Sequence, residues 1–221
     1  VKRCSGEKYL LDDFRGCYCV VGIDLSKTAD LTAISAVIER NGKFYIFTQF
    51  FMPSGRIEKA IKEDGVPYDV FVKQGYLTLS GNHDVDYHDV EKWLVTLVKQ
   101  YKIKPLKVGY DRWSAQYLIQ DLQQNGFHTD DVYQGTNLSP ILDEFEGKIK
   151  DGAIQIGENN LLKSHLLNVA VQINSGDGRK KPVKIERRMH IDGFVSIIDA
   201  FTVRSKYYAE IGKRLENYKS A

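Results

Sequence analysis

The stretch "VVGIDLSKTADLTA", residues 20–33, is an apolar run that closes on an acid, crosses a polar, turn-rich segment and opens a second apolar run. A carboxylate at the end of a buried strand is costly to desolvate unless it is paired, hydrogen-bonded or bound to a metal. The rest of the chain has to supply that partner. Working outward, "CYCVVGID" (17–24) reads as a fully buried strand, and "LTAISAVIER" (31–40) and "KFYIFTQFF" (43–51) as two more. Asn41-Gly42 between the last two is a strong hairpin signal. The chain therefore opens with three strands in a meander.

Beyond residue 51 the punctuation changes. Residues 52–86 hold Pro53, Gly55, Gly65, Pro67, Gly75 and Gly81 among short apolar pieces, which suits one or two short helices and a short strand near "GYLTLS". Helical spacing then returns in "DYHDVEKWLVTLVKQY" (86–101) behind an Asp-rich start. "PLKVGYD" (105–111) is a second strand that closes on an acid. "SAQYLIQDLQQNG" (114–126) reads as a helix with Ser114 as N-cap and Gly126 as its stop. "SPILDEFEGKIKDG" (139–152) starts with Ser-Pro and stops at Gly, again a helix. "NNLLKSHLLNVAVQIN" (159–174) is expected to be one helix, "PVKIERR" (182–188) a strand or hairpin arm, and "IDGFVSIIDAFTVRSKYYAEIG" (191–212) one long amphipathic helix. This order fits an α/β domain with a mixed central β-sheet flanked by helices. No repeat, low-complexity tract or linker interrupts it, so one domain is expected over 1–221, with its core at about 17–212.

Composition narrows the class. The 221 residues are 43% hydrophobic and 27% charged, ordinary globular usage. No apolar run reaches the roughly 18 residues that span a bilayer. The first residues lack a signal-peptide core, and the chain begins on Val1, as expected of a fragment or a processed chain. Three cysteines, Cys4, Cys17 and Cys19, give neither a disulfide framework nor a zinc knuckle; free thiols in a reducing cytoplasm are expected. The net charge of +2 is uninformative. Its distribution says more. "GRKKPVKIERR" (178–188) carries Lys180, Lys181, Lys184, Arg187 and Arg188 among its basic residues, against the single acid Glu186. Such a cluster suits phosphate contacts, or simply a solvated hairpin.

Three acids stand out by position. Asp24 and Asp111 each end a strand, and Asp192, in "HIDG", starts the last helix. On that helix Asp192, Ser196 and Asp199 fall at i, i+4 and i+7 and share a face, which the small Ser196 leaves open. Phe194, Ile198 and Phe201 form the expected core side. Taken singly, each acid is also read as a turn cap, a helix-start acid or a solvated position. Taken together, carboxylates converging from separate segments stay ionised if divalent cations sit between them. Hard oxygen ligands suit Mg²⁺ or Mn²⁺. Two such ions about 3.5–4 Å apart activate a water and stabilise the leaving oxygen of a phosphodiester.

"GIDLSKTADLTA", "GYDRW", "FEGKIKDGAIQIGENNLLKSHLLNVAVQ" and "HIDGFVSIIDAF", in this order, resemble the nuclease domain of tailed-phage large terminase subunits, the HK97-like group in particular. The likeness runs from about residue 20 to residue 201. It implies an RNase H-like fold and an endonuclease that cuts concatemeric double-stranded viral DNA at packaging with two Mg²⁺ or Mn²⁺ ions. Asp24 matches the first-strand acid, Asp111 the second, and Asp192 the acid of the "IDG" motif. Asp199, in "IIDAF", is the alternative third ligand or an additional outer one. About two helical turns, near 10 Å, separate Asp192 from Asp199, too far to hold one ion directly together. Asn160, His165 and Asn168 fall at matching positions of the middle block, as supporting or merely packing residues, and Lys184 at a basic position of a DNA-facing hairpin.

The same resemblance implies, as partners in the full-length context, an ATPase motor domain, the portal protein and the small terminase subunit, with the host cytoplasm as the place of action and no membrane. No G-x-x-x-x-G-K-[ST] phosphate loop occurs in the chain, so cleavage without ATP and without translocation is expected. Two other readings stay open on the residues alone: another RNase H-like nuclease, such as a junction resolvase or transposase core, and a non-catalytic module that docks on DNA or a portal.

Overall fold

The computed structural model describes residues 1–25, 31–111 and 116–216. The meander forms as expected: β1 (Tyr18–Asp24), β2 (Thr32–Arg40) and β3 (Lys43–Met52) pair antiparallel in sequence. Asn41 and Gly42 both take positive φ, 53° and 73°, as the tight turn joining right-twisted strands requires. After β3 come α1 (Ile57–Asp64), α2 (Tyr68–Lys73) and β4 (Leu77–Leu79), which returns parallel to β3. Next follow α3 (Tyr87–Lys99), β5 (Lys104–Asp111), α4 (Gln116–Gln124) and β6 (Thr129–Val132). The helix α5 (Ser139–Lys150) leads to β7 (Ile154–Gln155), which joins β3 beside Phe44 and Tyr45. The sheet order is β4-β3-β2-β1-β5-β6, with β5 parallel to both β1 and β6.

Helices cover both faces, which is why the central strands read as continuous apolar runs rather than alternating ones. Along β1 the period of two divides the core. Val21 and Ile23 pack with Val90, Leu94 and Leu97 of α3 and with Leu118 and Leu122 of α4. Val20 packs on the other side, with the helix α7 (Asp192–Lys206). Gly22 and Asp24 share the α7 side with Val20.

Two expected helices are each divided. Residues 159–174 hold α6 (Asn160–Leu167) and then β8 (Val169–Ile173), which pairs antiparallel with β9 (Lys180–Lys184). Asn168 ends the helix and donates its side-chain amide to the His190 carbonyl at 3.0 Å. The alternation Val169, Val171, Ile173 that follows suits a strand. At the C-terminus α7 stops at Tyr207, and α8 (Tyr208–Glu216) sets off anew, bringing Ile211 and Leu215 into the core. The face of α7 expected to be open is also closed. Ser196 is fully buried and shares a 2.7 Å hydrogen bond with Ser35 on β2, which in turn bonds Thr48 on β3. Asp199, considered above as a solvated position, has no exposed surface. The helix lies inside the fold, so amphipathicity gives way to burial on both sides. The strands β6 and β7 did not stand out in the sequence. The expected N-cap Ser114, and Arg112 beside Asp111, lie outside the described residues. Cys4, Cys17 and Cys19 are free and buried, as expected.

Candidate functional site

Ile23 pairs with Tyr110 in the parallel register of β1 and β5, so the next residues, Asp24 and Asp111, end adjacent strands side by side. Both lie on the sheet face that α7 covers. The two strand-end acids thus lie on the side of the sheet against which the helix carrying Asp192 and Asp199 packs.

The four carboxylates are not equivalent. Asp24 and Asp192 line one cavity of about 320 Å³, together with Gln134, Lys181 and Lys184. Asp192 opens α7 and is 6% exposed; its Oδ2 is buried and accepts no hydrogen bond. Asp199 lies deeper. Its Oδ1 accepts from Gln134 Nε2 and its Oδ2 has no hydrogen-bond partner. Burial pushes the Asp199 carboxyl well above the usual range; the Gln134 amide opposes this and the Asp111 carboxylate adds to it. Gln134 therefore links the cavity wall to the buried acid behind it.

The basic segment divides too. Lys181 and Lys184 reach the acid-lined cavity. Lys180 is committed to Asp143 on α5, with Glu146 at 3.9 Å. Arg187 is exposed, and Arg188 donates to Glu186 at 3.1 Å and borders a separate cavity beside α6. Of the middle block, His165 and Asn168 come close to Asp192. His165 Nδ1 accepts from the Gly193 N–H at 3.1 Å and lies 3.7 Å from Asp192 Oδ2. Asn168 holds the backbone of His190, two residues before Asp192. Asn160 is exposed and lines a different cleft, with Ser5, Gly6 and Lys163. The helix cap belongs to its neighbour Asn159, whose side chain accepts from Leu162 N at 2.9 Å.

Sequence reasoning passed over Gln134, His190 and Asp64. His190 carried a signal, standing two residues before the acid of "HIDG". Gln134 and Asp64 carried none, because their roles come from contacts across 65 and 126 residues.

The donor set suits hard divalent cations: oxygen ligands only, two of them on adjacent strand ends, and two buried carboxylate oxygens without hydrogen bonds. Among the described residues no three His, Cys, Asp or Glu side chains already stand close enough to hold one ion. The fit is therefore one of chemistry and placement.

A family model, terminase large subunit, endonuclease domain, matches residues 5–206. The chain belongs to this terminase nuclease family. The large terminase subunit of Enterobacteria phage HK97 is 28% identical over 180 residues, 80% of this chain and 35% of that protein. The crystal structure of the HK97 large terminase superposes with a TM-score of 0.79 at 25% identity, covering 91% of this chain and 42% of that one. The large terminase nuclease of thermophilic phage G20c, crystallised with bound magnesium, shares the fold with a TM-score of 0.54 at 13% identity, covering 84% of this chain and 80% of that one. This terminase chain thus spans about a third of the length of its HK97 relative. Its fold is the RNase H-like fold of terminase nucleases, as the resemblance implied.

Proposed function

We propose that the chain is a metal-dependent endonuclease that cuts double-stranded concatemeric viral DNA during genome packaging. The observation that carries this reading is the register that sets Asp24 beside Asp111 on the face of the sheet closed by α7. Two Mg²⁺ or Mn²⁺ ions bound there would supply an activated water and charge for the leaving oxygen of the phosphodiester. The chain's own residues do the rest. Asp24 and Asp111 would hold the ions from the sheet, and Asp192 from the start of α7. Asp199 stands behind them, tied to the cavity wall by Gln134. Lys181 and Lys184 face the DNA phosphates from the ribbon β8–β9. The likeness to HK97 terminase and the magnesium bound by the G20c nuclease support the reading. In the assembled terminase the domain would act in the host cytoplasm with an ATPase motor domain, the portal and the small subunit. Among the described residues no helix is long and apolar enough to cross a membrane.

The test is plasmid cleavage by the purified chain at low salt, without ATP, in Mn²⁺, Mg²⁺, Ca²⁺ or EDTA, beside Asp111→Asn. Cleavage in Mn²⁺ or Mg²⁺ that EDTA and the substitution both abolish is the expected result. No cleavage in any metal, with no Mn²⁺-dependent rise in melting temperature, would replace the nuclease by a non-catalytic binding module.

A further inference from the structure

Asp64 closes α1, in the part of the chain that the sequence left without a role. It does not point into water. Its side chain is 11% exposed, accepts from the Tyr68 hydroxyl at 2.9 Å and meets His190 Nε2 at 3.1 Å. The other nitrogen of that ring, Nδ1, lies 3.6 Å from Asp192 Oδ2. Tyr68, Asp64, His190 and Asp192 therefore form one buried polar line that ends at the helix-start acid. The ring of His165 is stacked 6.2 Å from that of His190 and fixes the first turn of α7 through the Gly193 N–H.

A carboxylate–imidazole pair this deep costs desolvation, and an apolar pair would fill the space as well. Its geometry instead serves Asp192. With Nε2 held by Asp64, the imidazole turns its Nδ1 edge to Asp192 Oδ2, the oxygen that has no hydrogen bond of its own. At 3.6 Å this is a close approach and not a hydrogen bond, and it places the ring where it would set the carboxylate's rotation when Asp192 takes up a cation. Outer-shell partners of this kind orient metal-binding carboxylates.

Building on the proposed nuclease reading, we propose that Asp64 and His190 are positioning residues that set the Asp192 carboxylate for its cation. They touch neither DNA nor metal.

The experiment titrates Mn²⁺ against the whole chain, read by thermal stabilisation and by calorimetry, for the wild type and for Asp24→Asn, Asp64→Asn, His190→Asn, His190→Gln and Tyr68→Phe. Plasmid cleavage is followed over the same Mn²⁺ range. Asp64→Asn and His190→Gln are expected to raise the Mn²⁺ midpoint about 10-fold, with cleavage returning at high Mn²⁺. His190→Asn places an amide nitrogen where Nδ1 stood and is expected to retain more affinity than His190→Gln, which reaches only Asp64. A purely structural pair would give neither that order nor recovery by metal. Wild-type Mn²⁺ affinity in the folded Asp64 and His190 variants, with binding lost in Asp24→Asn, overturns this inference and leaves the nuclease reading standing. Absence of Mn²⁺ binding by the wild type overturns both. If Asp64→Asn does not fold, the His190 pair and Tyr68→Phe decide.

Discussion

Gly22 and Gly109 face each other across β1 and β5, and α7 lies directly on both. A Cβ on Gly22 would stand 1.9 Å from the Ser196 carbonyl oxygen and 2.5 Å from the Ala200 nitrogen. On Gly109 it would stand 2.6 Å from the Asp199 carbonyl oxygen. The two glycines are what lets the helix carrying Asp192 and Asp199 settle close to the strands carrying Asp24 and Asp111.

The nearest contacts on the added methyl are backbone atoms, which no side-chain rotation relieves. Gly22→Ala and Gly109→Ala are each expected to lower stability by about 1–3 kcal/mol through overpacking. Urea unfolding checks it. Wild-type stability in either variant would mean that α7 slides freely on the sheet.

Asp199 gives a prediction for the metal-free protein. Burial raises its carboxyl above the ordinary range, so the folded chain keeps that proton to higher pH than the unfolded chain. The contribution to stability is full below the unfolded value of about 3.9 and is lost as pH rises through the raised folded value. In EDTA, the stability of Asp199→Asn relative to wild type should therefore grow with pH across that window and then level off. Unfolding curves from pH 4 upward measure it. A constant difference at every pH would show that the buried carboxyl titrates normally.

Arg204 anchors the far end of the same helix. Its Nε and Nη2 donate to Glu39 Oε2 at 3.1 and 2.7 Å, its Nη1 to Glu144 at 3.3 Å, and its guanidinium lies over Phe44 and Tyr208. Removing one partner of a buried pair leaves the other charge uncompensated, so Arg204→Ala is expected to cost about 3–5 kcal/mol. Arg204→Lys keeps the charge but not the fork, and should fall between the two. If chemical denaturation finds Arg204→Ala within experimental scatter of the wild type, Glu39 has found water instead.

How much of this was legible beforehand follows from the range of each signal. The strands β1 and β2 announced themselves because burial on both faces writes an apolar run directly into the chain, β3 because the Asn41-Gly42 turn pairs it with β2, and β5 as a short apolar piece closing on an acid. Asp24 and Asp111 were visible as charges that end strands. Asp192 and Asp199 were visible through helical spacing, but their surroundings were not, since the periodicity of α7 does not say that the sheet closes over its acid face. The division of 159–174 at Asn168 was missed because "NLLKSHLL" and "VAVQI" are both apolar, and only pairing with β9 separates them. Gln134 and Asp64 act through partners distant in sequence, and local pattern carries no trace of that.

The basic ribbon yields the last prediction, because neighbouring lysines there have different fates. Lys181 and Lys184 line the cavity with Asp24 and Asp192, whereas Lys180 is held by Asp143 and Glu146 on α5. Each lysine that neutralises a DNA phosphate adds about 0.9 to the slope of log affinity against log salt. Lys181→Ala and Lys184→Ala should each reduce that slope by about this amount. Lys180→Ala should change it far less, since Asp143 and Glu146 hold its ammonium on α5, away from the cavity that Lys181 and Lys184 line. Anisotropy titrations of a labelled duplex in Ca²⁺, over a series of salt concentrations, separate the two cases. A slope that drops equally for all three would mean that the Asp143 contact opens on binding and that the whole ribbon meets the phosphates. A slope unchanged for Lys181 and Lys184 would move the DNA track off this face of the cavity.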